Sequence, residues 1–345
     1  MKLLTIVVTA SGAPGTAALL RGLRENGEQP VRLVGTDMSE QSIGRHLCDA
    51  FHVVPRGSDP GFADAVLEIA RREHAEAVLP QSSFDLLGLA EARDRFREAG
   101  VVPLVSSAEA VRRSNDKAET YSMLDAIGVR APEWRRVRGV EAVADAARGL
   151  GYPALDVCTK PVFSSGTRGF RILSASADRR EQLLTNRPGV AEALRLEDLA
   201  ELLGPDDETE LLVMELATGK ERTVDGIAEG GRIALGHPKT RESMRAGLAM
   251  YFETLDDPAL MEVAEKIVAE LDLDHFFNIQ LVGEHVIEIN PRISTIVYQE
   301  DLHLPWLGVQ HALGRISFDE LADLASRIRP SRRALRFFDQ VEWDA

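Results

Sequence analysis

The stretch Asn278–Arg292, NIQLVGEHVIEINPR, constrains this chain more than any other, because two alternating runs flanking a glycine read as a β-hairpin. Ile279 and Leu281 alternate with Asn278 and Gln280, and Ile287 and Ile289 alternate with Glu288 and Asn290. Successive strand side chains point to opposite faces, so one face is apolar and the other carries amides and a carboxylate. Turn length decides whether those polar groups meet. A two-residue turn, Gly283-Glu284, would set Gln280 opposite Ile287. A three-residue turn, Gly283-Glu284-His285, sets Gln280 opposite Glu288 and Asn278 opposite Asn290. Opposed Cβ atoms lie roughly 5 Å apart, so this second register gathers oxygens suited to a hard cation such as magnesium. Arg292 follows, a planar fork able to meet a phosphate. A hairpin whose polar face simply touches water fits the same pattern.

At 345 residues the chain exceeds one ordinary core, so two or three domains are expected. A net charge of −15 would repel nucleic acid and anionic membranes, and both are excluded as partners. The two cysteines, Cys48 and Cys158, are far apart and belong to no CxxC or Cys/His cluster, which fits reduced thiols in the cytoplasm and gives no zinc site. MKLLTIVVTASG reads as a first strand rather than a signal peptide, and no apolar run reaches spanning length. Only six of the 40 basic residues are lysine, so the positions of Lys117, Lys160 and Lys220 stand out. A lysine ammonium is a common phosphate binder.

Taken in order, residues 3–10, 31–37, 51–55, 75–80 and 101–105 read as strands, with helices over 16–26, 61–74 and 83–97. Strands alternating with helices imply a parallel, doubly wound sheet. A glycine turn after the first strand, with Asp37 beyond it, invites a dinucleotide-binding reading. The fingerprint is incomplete, since Ala10 and Ala18 stand where two glycines belong and Pro14 occupies the turn. From Ser106 the character changes. Ser106 and Glu109 are spaced as a capping box, opening a helix that ends at Gly128. A strand 135–138, a helix 141–150, a strand ending at Lys160, a loop with Ser164, Ser165, Gly166, Thr167 and Gly169, and a returning strand follow. Small residues there let backbone N–H groups turn onto an anion. Residues 174–210 are acidic, with helical pieces near 178–186 and 196–204. Three strands span 211–237, a helix 257–272, and helices near 300–313 and 318–328 precede a strand 334–343.

In this order and spacing, SNDKAETYSMLDAIGVRAPEW, TKPVFSSGTRGF, MELATGKERTVDG and IQLVGEHVIEINPR resemble the ATP-grasp superfamily, and within it the carbamoyl-phosphate-synthase-like group. The resemblance covers nearly the whole chain. It implies an α/β fold in which a Rossmann-like domain, 1–108, precedes a two-lobed α+β ATP-grasp domain, 109–345, with a hinge near 214–218. It implies ATP and Mg2+, with Mn2+ as the alternative metal, and activation of a carboxylate as an acyl phosphate. Lys117 and Lys160 then correspond to the basic groups on the phosphates, and Ser164, Ser165 and Gly166 to the loop that closes over them. Glu215, Leu216 and Ala217 correspond to the adenine site and Glu221 to the ribose ligand. Gln280, Glu288 and Asn290 correspond to the metal ligands. Arg292, Arg245 and Lys160 are the catalytic candidates, Arg245 on a looser match.

The single copy, without a glutaminase domain or biotin attachment site, points to a stand-alone carboxylate–amine ligase acting on a small acid and a small amine, with room for a homodimer. An enzyme that ends at the acyl phosphate and a catalytically silent ATP-binding regulator are the competing readings. An NAD oxidoreductase comes last.

Overall fold

The computed structural model describes residues 2–343 except 163–168, 179, 181–183, 185–192, 205, 246–247, 295–298, 300 and 338. The first third forms a parallel sheet of β1 (Leu4–Val8), β2 (Val31–Asp37), β3 (Ala50–Val53), β4 (Ala77–Leu79) and β5 (Val102–Pro103) in the order β3-β2-β1-β4-β5. Helices α1 (Thr16–Arg24), α2 (Gly44–Leu47), α3 (Phe62–Arg72), α4 (Ser83–Glu91) and α5 (Arg93–Glu98) connect the strands. All five residues of β1 are buried, because a parallel strand covered on both faces has no solvated side. Leu4, Ile6 and Val8 join one core while Val7 joins the other. The strand order reverses between β1 and β4, and ligands of such sheets bind at that point, outside the carboxyl ends.

Two helices follow, α6 (Ala108–Asn115) and α7 (Lys117–Ala126), where one had been expected. Asp116 makes the break: its Oδ1 accepts from the amides of Ala118 (2.8 Å) and Glu119 (3.1 Å), capping a new helix with Lys117 at its first position. The first cap is also one residue later than expected. Ser107 accepts from Ala110 N at 3.1 Å, whereas Ser106 exchanges hydrogen bonds with the Asp274 backbone. The helix expected over 83–97 is likewise divided, at Ala92.

The next sheet holds β6 (Trp134–Arg138), β7 (Val157–Pro161), β8 (Arg171–Leu173), β9 (Ala193–Leu194) and β10 (Glu210–Glu215) in the order β6-β10-β7-β8-β9. Helix α8 (Val140–Gly149) and helix α9 (Leu196–Leu203) pack on it around Val143, Val157, Leu173 and Val213. The helical piece expected near 178–186 falls largely outside the described residues.

A third sheet carries β11 (Glu221–Glu229), β12 (Arg232–Thr240), β15 (His275–Val282) and β16 (His285–Asn290) in the order β12-β11-β15-β16. Its apolar face, with Phe277, Ile279, Leu281, Val286 and Ile289, shares one core with Ala264, Ile267 and Val268 of α10 (Pro258–Glu270) and with Tyr121 and Leu124 of α7. Each fully buried side chain of this kind contributes about 1.5–3 kcal/mol. Strands β13 (Glu242–Arg245) and β14 (Leu248–Glu253) were not anticipated; they pair with each other, and β14 also with a short β17 (Arg333–Leu335). The strand expected over 334–343 is confined to those three residues. Helix α11 (Leu304–Ala312) packs against α1 and the third sheet and helix α12 (Phe318–Ala325) against β12, and Trp306 shares a core with Leu4, Leu19 and Phe276 and donates Nε1–H to Glu28 at 2.9 Å.

Candidate active site

The hairpin expected from the sequence forms with its turn and its register reconciled in a way the sequence reading missed. The turn has two residues, Gly283 and Glu284, because Val282 pairs with His285 and Leu281 with Val286. Gln280 nonetheless opposes Glu288 and Asn278 opposes Asn290. The register shift beside Gln280 absorbs Ile287 as an extra residue, a β-bulge. The Ile287 carbonyl accepts the Tyr121 hydroxyl at 2.9 Å.

Pairing across the whole sheet extends this face into polar rows. Lys239, Thr223, Gln280 and Glu288 form one row, and His237, Asp225, Asn278 and Asn290 the next. Asn278 ties the rows together. Its Nδ2 donates to Thr223 Oγ1 (2.7 Å) and Asp225 Oδ1 (2.9 Å), and its Oδ1 accepts from Gln280 (2.8 Å) and Asn290 (3.4 Å). Asp225 also forms an ion pair with Lys239, both side chains being inaccessible. Burial pushes Lys239 down to about 7, with the Asp225 charge opposing it. Burial and then the Lys239 charge push His237 down to about 3. Glu221 begins the adjoining row and pairs with Arg241 at 3.3 Å. Burial raises its carboxyl, Arg241 opposes this, and the Glu288 charge adds to it.

Two lysines approach from the neighbouring elements. Lys160, on β7, donates to the Tyr121 hydroxyl at 2.8 Å and stands 5.2 Å from that ring's centre. Burial lowers its pKa and Glu288 opposes the shift. Lys117, on α7, is lowered to about 8 by burial and then by the Lys160 charge, with Glu288 opposing. A narrow gap is lined by Lys117, Tyr121, Glu288, Asn290 and Ser83. Ser83 belongs to the first domain: its hydroxyl accepts from Arg292 Nε at 3.1 Å and donates to Asn290 Oδ1 at 3.4 Å. Arg292 also reaches the Ile293 carbonyl at 3.0 Å. Burial lowers its pKa, and Glu288 heads the charges that support it.

Lys117, Lys160, Gln280, Glu288, Asn290 and Arg292 thus come together, with Glu221 one row away. Glu215 sits at the end of β10, its amide bonded to the Glu133 carbonyl at 2.8 Å and its carboxylate 4.0 Å from His285 Nε2. Leu216 and Ala217 follow with no backbone hydrogen bond among the described residues. Ser164, Ser165 and Gly166 lie outside the described residues, as does the side chain of Arg245, whose backbone closes β13. The sequence reading missed Asp225, His237, Lys239, Arg241, Tyr121 and Ser83. A signal for three of them was present, since His237 and Lys239 alternate along one strand and Arg241 continues the alternation just past its end.

The donor set suits magnesium. Amide and carboxylate oxygens gather on one face, with Glu221 near enough to be raised by the Glu288 charge. Among the described residues no group of three or more His, Cys, Asp or Glu could hold a metal.

A parallel α/β unit thus precedes sheets on which paired lysines face an oxygen-lined hairpin. Residues 207–332 match the family model described as ATP-grasp in the biosynthetic pathway with Ter operon, and residues 6–104 match the PylC-like N-terminal domain. By these two matches the chain is similar to ATP-grasp proteins, the resemblance expected from its sequence. It is 24% identical over 255 residues to the arginine-specific carbamoyl phosphate synthase large chain of Bacillus subtilis, covering 69% of this chain and 22% of that one. The chain therefore spans about a quarter or less of the length of this relative. Among solved structures, the L-amino acid ligase from Bacillus licheniformis superposes with a TM-score of 0.64 at 16% identity, covering 96% of this chain and 78% of that one. The biotin carboxylase domain of Hydrogenobacter thermophilus 2-oxoglutarate carboxylase, a dimer complexed with MgADP and bicarbonate, does so with 0.64 at 16%, covering 91% and 70%. No helix among the described residues is long and apolar enough to cross a membrane.

Proposed function

We propose that the chain is an ATP-dependent carboxylate–amine ligase that activates a small acid as an acyl phosphate and releases ADP and phosphate on amide formation. The observation that carries this reading is the convergence of Lys117, Lys160 and Arg292 on the face presented by Gln280, Glu288 and Asn290. Glu288, Gln280 and Asn290 would hold Mg2+, which offsets phosphate charge when bound. Lys117 and Lys160 receive the phosphates, and Glu215, Leu216, Ala217 and Glu221 the nucleoside. Arg292, oriented by Ser83, meets the transferring phosphoryl group. An attacking carboxylate and a γ-phosphate are both anions, so positioning and charge neutralisation are the work required. The carboxylate oxygen bonds to γ-phosphorus as the β–γ bridge breaks and ADP leaves. The amine then attacks the acyl carbon, phosphate departs with the bonding pair, and the amine's surplus proton is lost. Ser164, Ser165 and Gly166 would close over the phosphates, and Arg245 is proposed to face the acyl phosphate.

ADP release measured against mixed pools of carboxylates and amines tests the reading. Release that requires both an acid and an amine supports it, while tight ATP binding without release for any pair leaves a regulator. Lys160→Ala should weaken ATP binding roughly ten- to a hundredfold, the worth of a charge-assisted contact, and leave adenosine binding unchanged. Equal losses for both would remove Lys160 from the phosphates.

Lys117 makes this pH-dependent. Its folded pKa, about 8, lies below the ordinary 10.5, so its charge costs stability below pH 8 and that cost fades as pH rises towards 10.5. A bound triphosphate favours the charged form, so ATP affinity should fall as pH rises above 8. Titration calorimetry across pH 7–9.5 is expected to show this fall and to find it flattened in Lys117→Gln.

A further inference from the structure

Tyr121 belongs to the core beneath the hairpin and is 1% exposed, and it also lines the gap shared by Lys117, Ile287 and Glu288. Lys117 and Tyr121 stand four residues apart on α7, a spacing that puts both on one face of the helix. The tyrosine hydroxyl accepts from Lys160 Nζ at 2.8 Å and donates to the Ile287 carbonyl at 2.9 Å. Lys160 lies on β7 of the second sheet and Ile287 on β16 of the third, so one oxygen joins three elements. Ile287 is the bulged residue, and the next residue is Glu288. Burial pushes the phenol well above its usual range, with Cys158 and then Glu288 adding to the rise. It therefore stays a neutral hydroxyl, which can accept and donate at once. Phenylalanine would do neither, and a carboxylate could only accept. Among the described residues Tyr121 is the hydrogen-bond partner of the Lys160 ammonium, which leaves two of its three N–H groups for an anion.

We propose that Tyr121 is a positioning residue, which holds the Lys160 ammonium in a fixed place relative to Glu288 so that phosphate and metal are met in register. The role rests on the ligase reading, in which Lys160 receives a phosphate and Glu288 the metal. A lysine side chain left unheld samples many rotamers, and ordering it when ATP binds would cost affinity. The bond to Tyr121 sets that order beforehand. The second bond gives the first its direction. With its proton committed to Ile287, the hydroxyl turns a lone pair to the ammonium. The bulge that sets Gln280 opposite Glu288 also leaves Ile287 out of the ladder, so its carbonyl is available as the anchor. A tyrosine that only satisfied this carbonyl would have no dependence on Lys160.

A double-mutant cycle on the full chain tests this dependence, read by calorimetry with Mg–ATP and with adenosine. Tyr121→Phe is expected to weaken Mg–ATP binding roughly three- to tenfold, the worth of one hydrogen bond, and to leave adenosine binding unchanged. In a Lys160→Ala background the same substitution should leave Mg–ATP affinity where Lys160→Ala put it, because the group it positions is gone. Replacing Tyr121 with meta-fluorotyrosine is a second variant that keeps the shape and the donor to Ile287. Its fluorine withdraws electron density from the oxygen that accepts from Lys160. This chain should melt with the native one and bind Mg–ATP more weakly by a smaller factor, again only while Lys160 is present. Equal losses in both Lys160 backgrounds, equal losses for adenosine, or native Mg–ATP affinity in folded Tyr121→Phe overturn the role. Should Tyr121→Phe fail to fold, native affinity in the fluorinated chain overturns it. A native chain that binds no Mg–ATP overturns the ligase reading and the role with it, whereas additive losses beside intact native binding overturn the role alone.

Discussion

Glu288→Gln is expected to abolish ATP turnover, by roughly a hundred- to a thousandfold or more, without lowering the unfolding midpoint. The substitution keeps the shape of the side chain and removes the one carboxylate that lies among the hairpin's amides. That charge also offsets the burial of Lys117, Lys160 and Arg292, so all three cations lose support together. Initial rates of ADP release at saturating magnesium, with a thermal melt of the same preparation, check the result. Near-native turnover would take the hairpin out of the chemistry. A lowered melt with lost activity would show instead that Glu288 holds the fold.

Asp225→Ala should be the most damaging single change to stability, costing about 3–5 kcal/mol. The ion pair with Lys239 is fully buried, and the second oxygen of Asp225 receives Asn278. Removing the carboxylate leaves an ammonium without its counter-charge in a medium that solvates it poorly. Asp225→Leu combined with Lys239→Met removes both charges and should recover most of the loss, because buried pairs contribute little net stability over apolar replacements. Urea unfolding of the three variants measures this. A cost below about 1 kcal/mol for the single change would be that of a solvated pair.

Much of the fold was legible because its signals are local. Period-two alternation fixed the faces of Asn278–Asn290, and the alternation of strands with helices fixed the parallel sheet. The boundaries that failed turned on single side chains choosing between partners. Ser106 has the spacing of a cap but is taken by the Asp274 backbone, leaving Ser107 to do the capping. Asp116 turns inward to cap a second helix in what otherwise reads as one helical stretch. The two-residue turn was set aside because a regular ladder makes it incompatible with the Gln280–Glu288 pair, and a bulge is not visible in hydrophobic alternation. The site was half legible for the same reason. Its hairpin and lysines lie in dense motifs, whereas Asp225 and Lys239 acquire meaning only when strands far apart in sequence pair. Ser83 reaches Asn290 and Arg292 across more than 200 residues.

The turn after β1 carries one more consequence. Asp37 Oδ2 accepts the Gly12 amide at 2.8 Å and its Oδ1 the Ser39 amide at 3.0 Å. A dinucleotide's pyrophosphate seeking that turn would compete with a ligand covalently attached to the same chain, whose effective concentration is set by a short tether rather than by the cell's supply. It would also meet a carboxylate of its own sign. The Gly12 amide is thus already engaged by the chain's own carboxylate, and an incoming phosphate would have to displace that bond first.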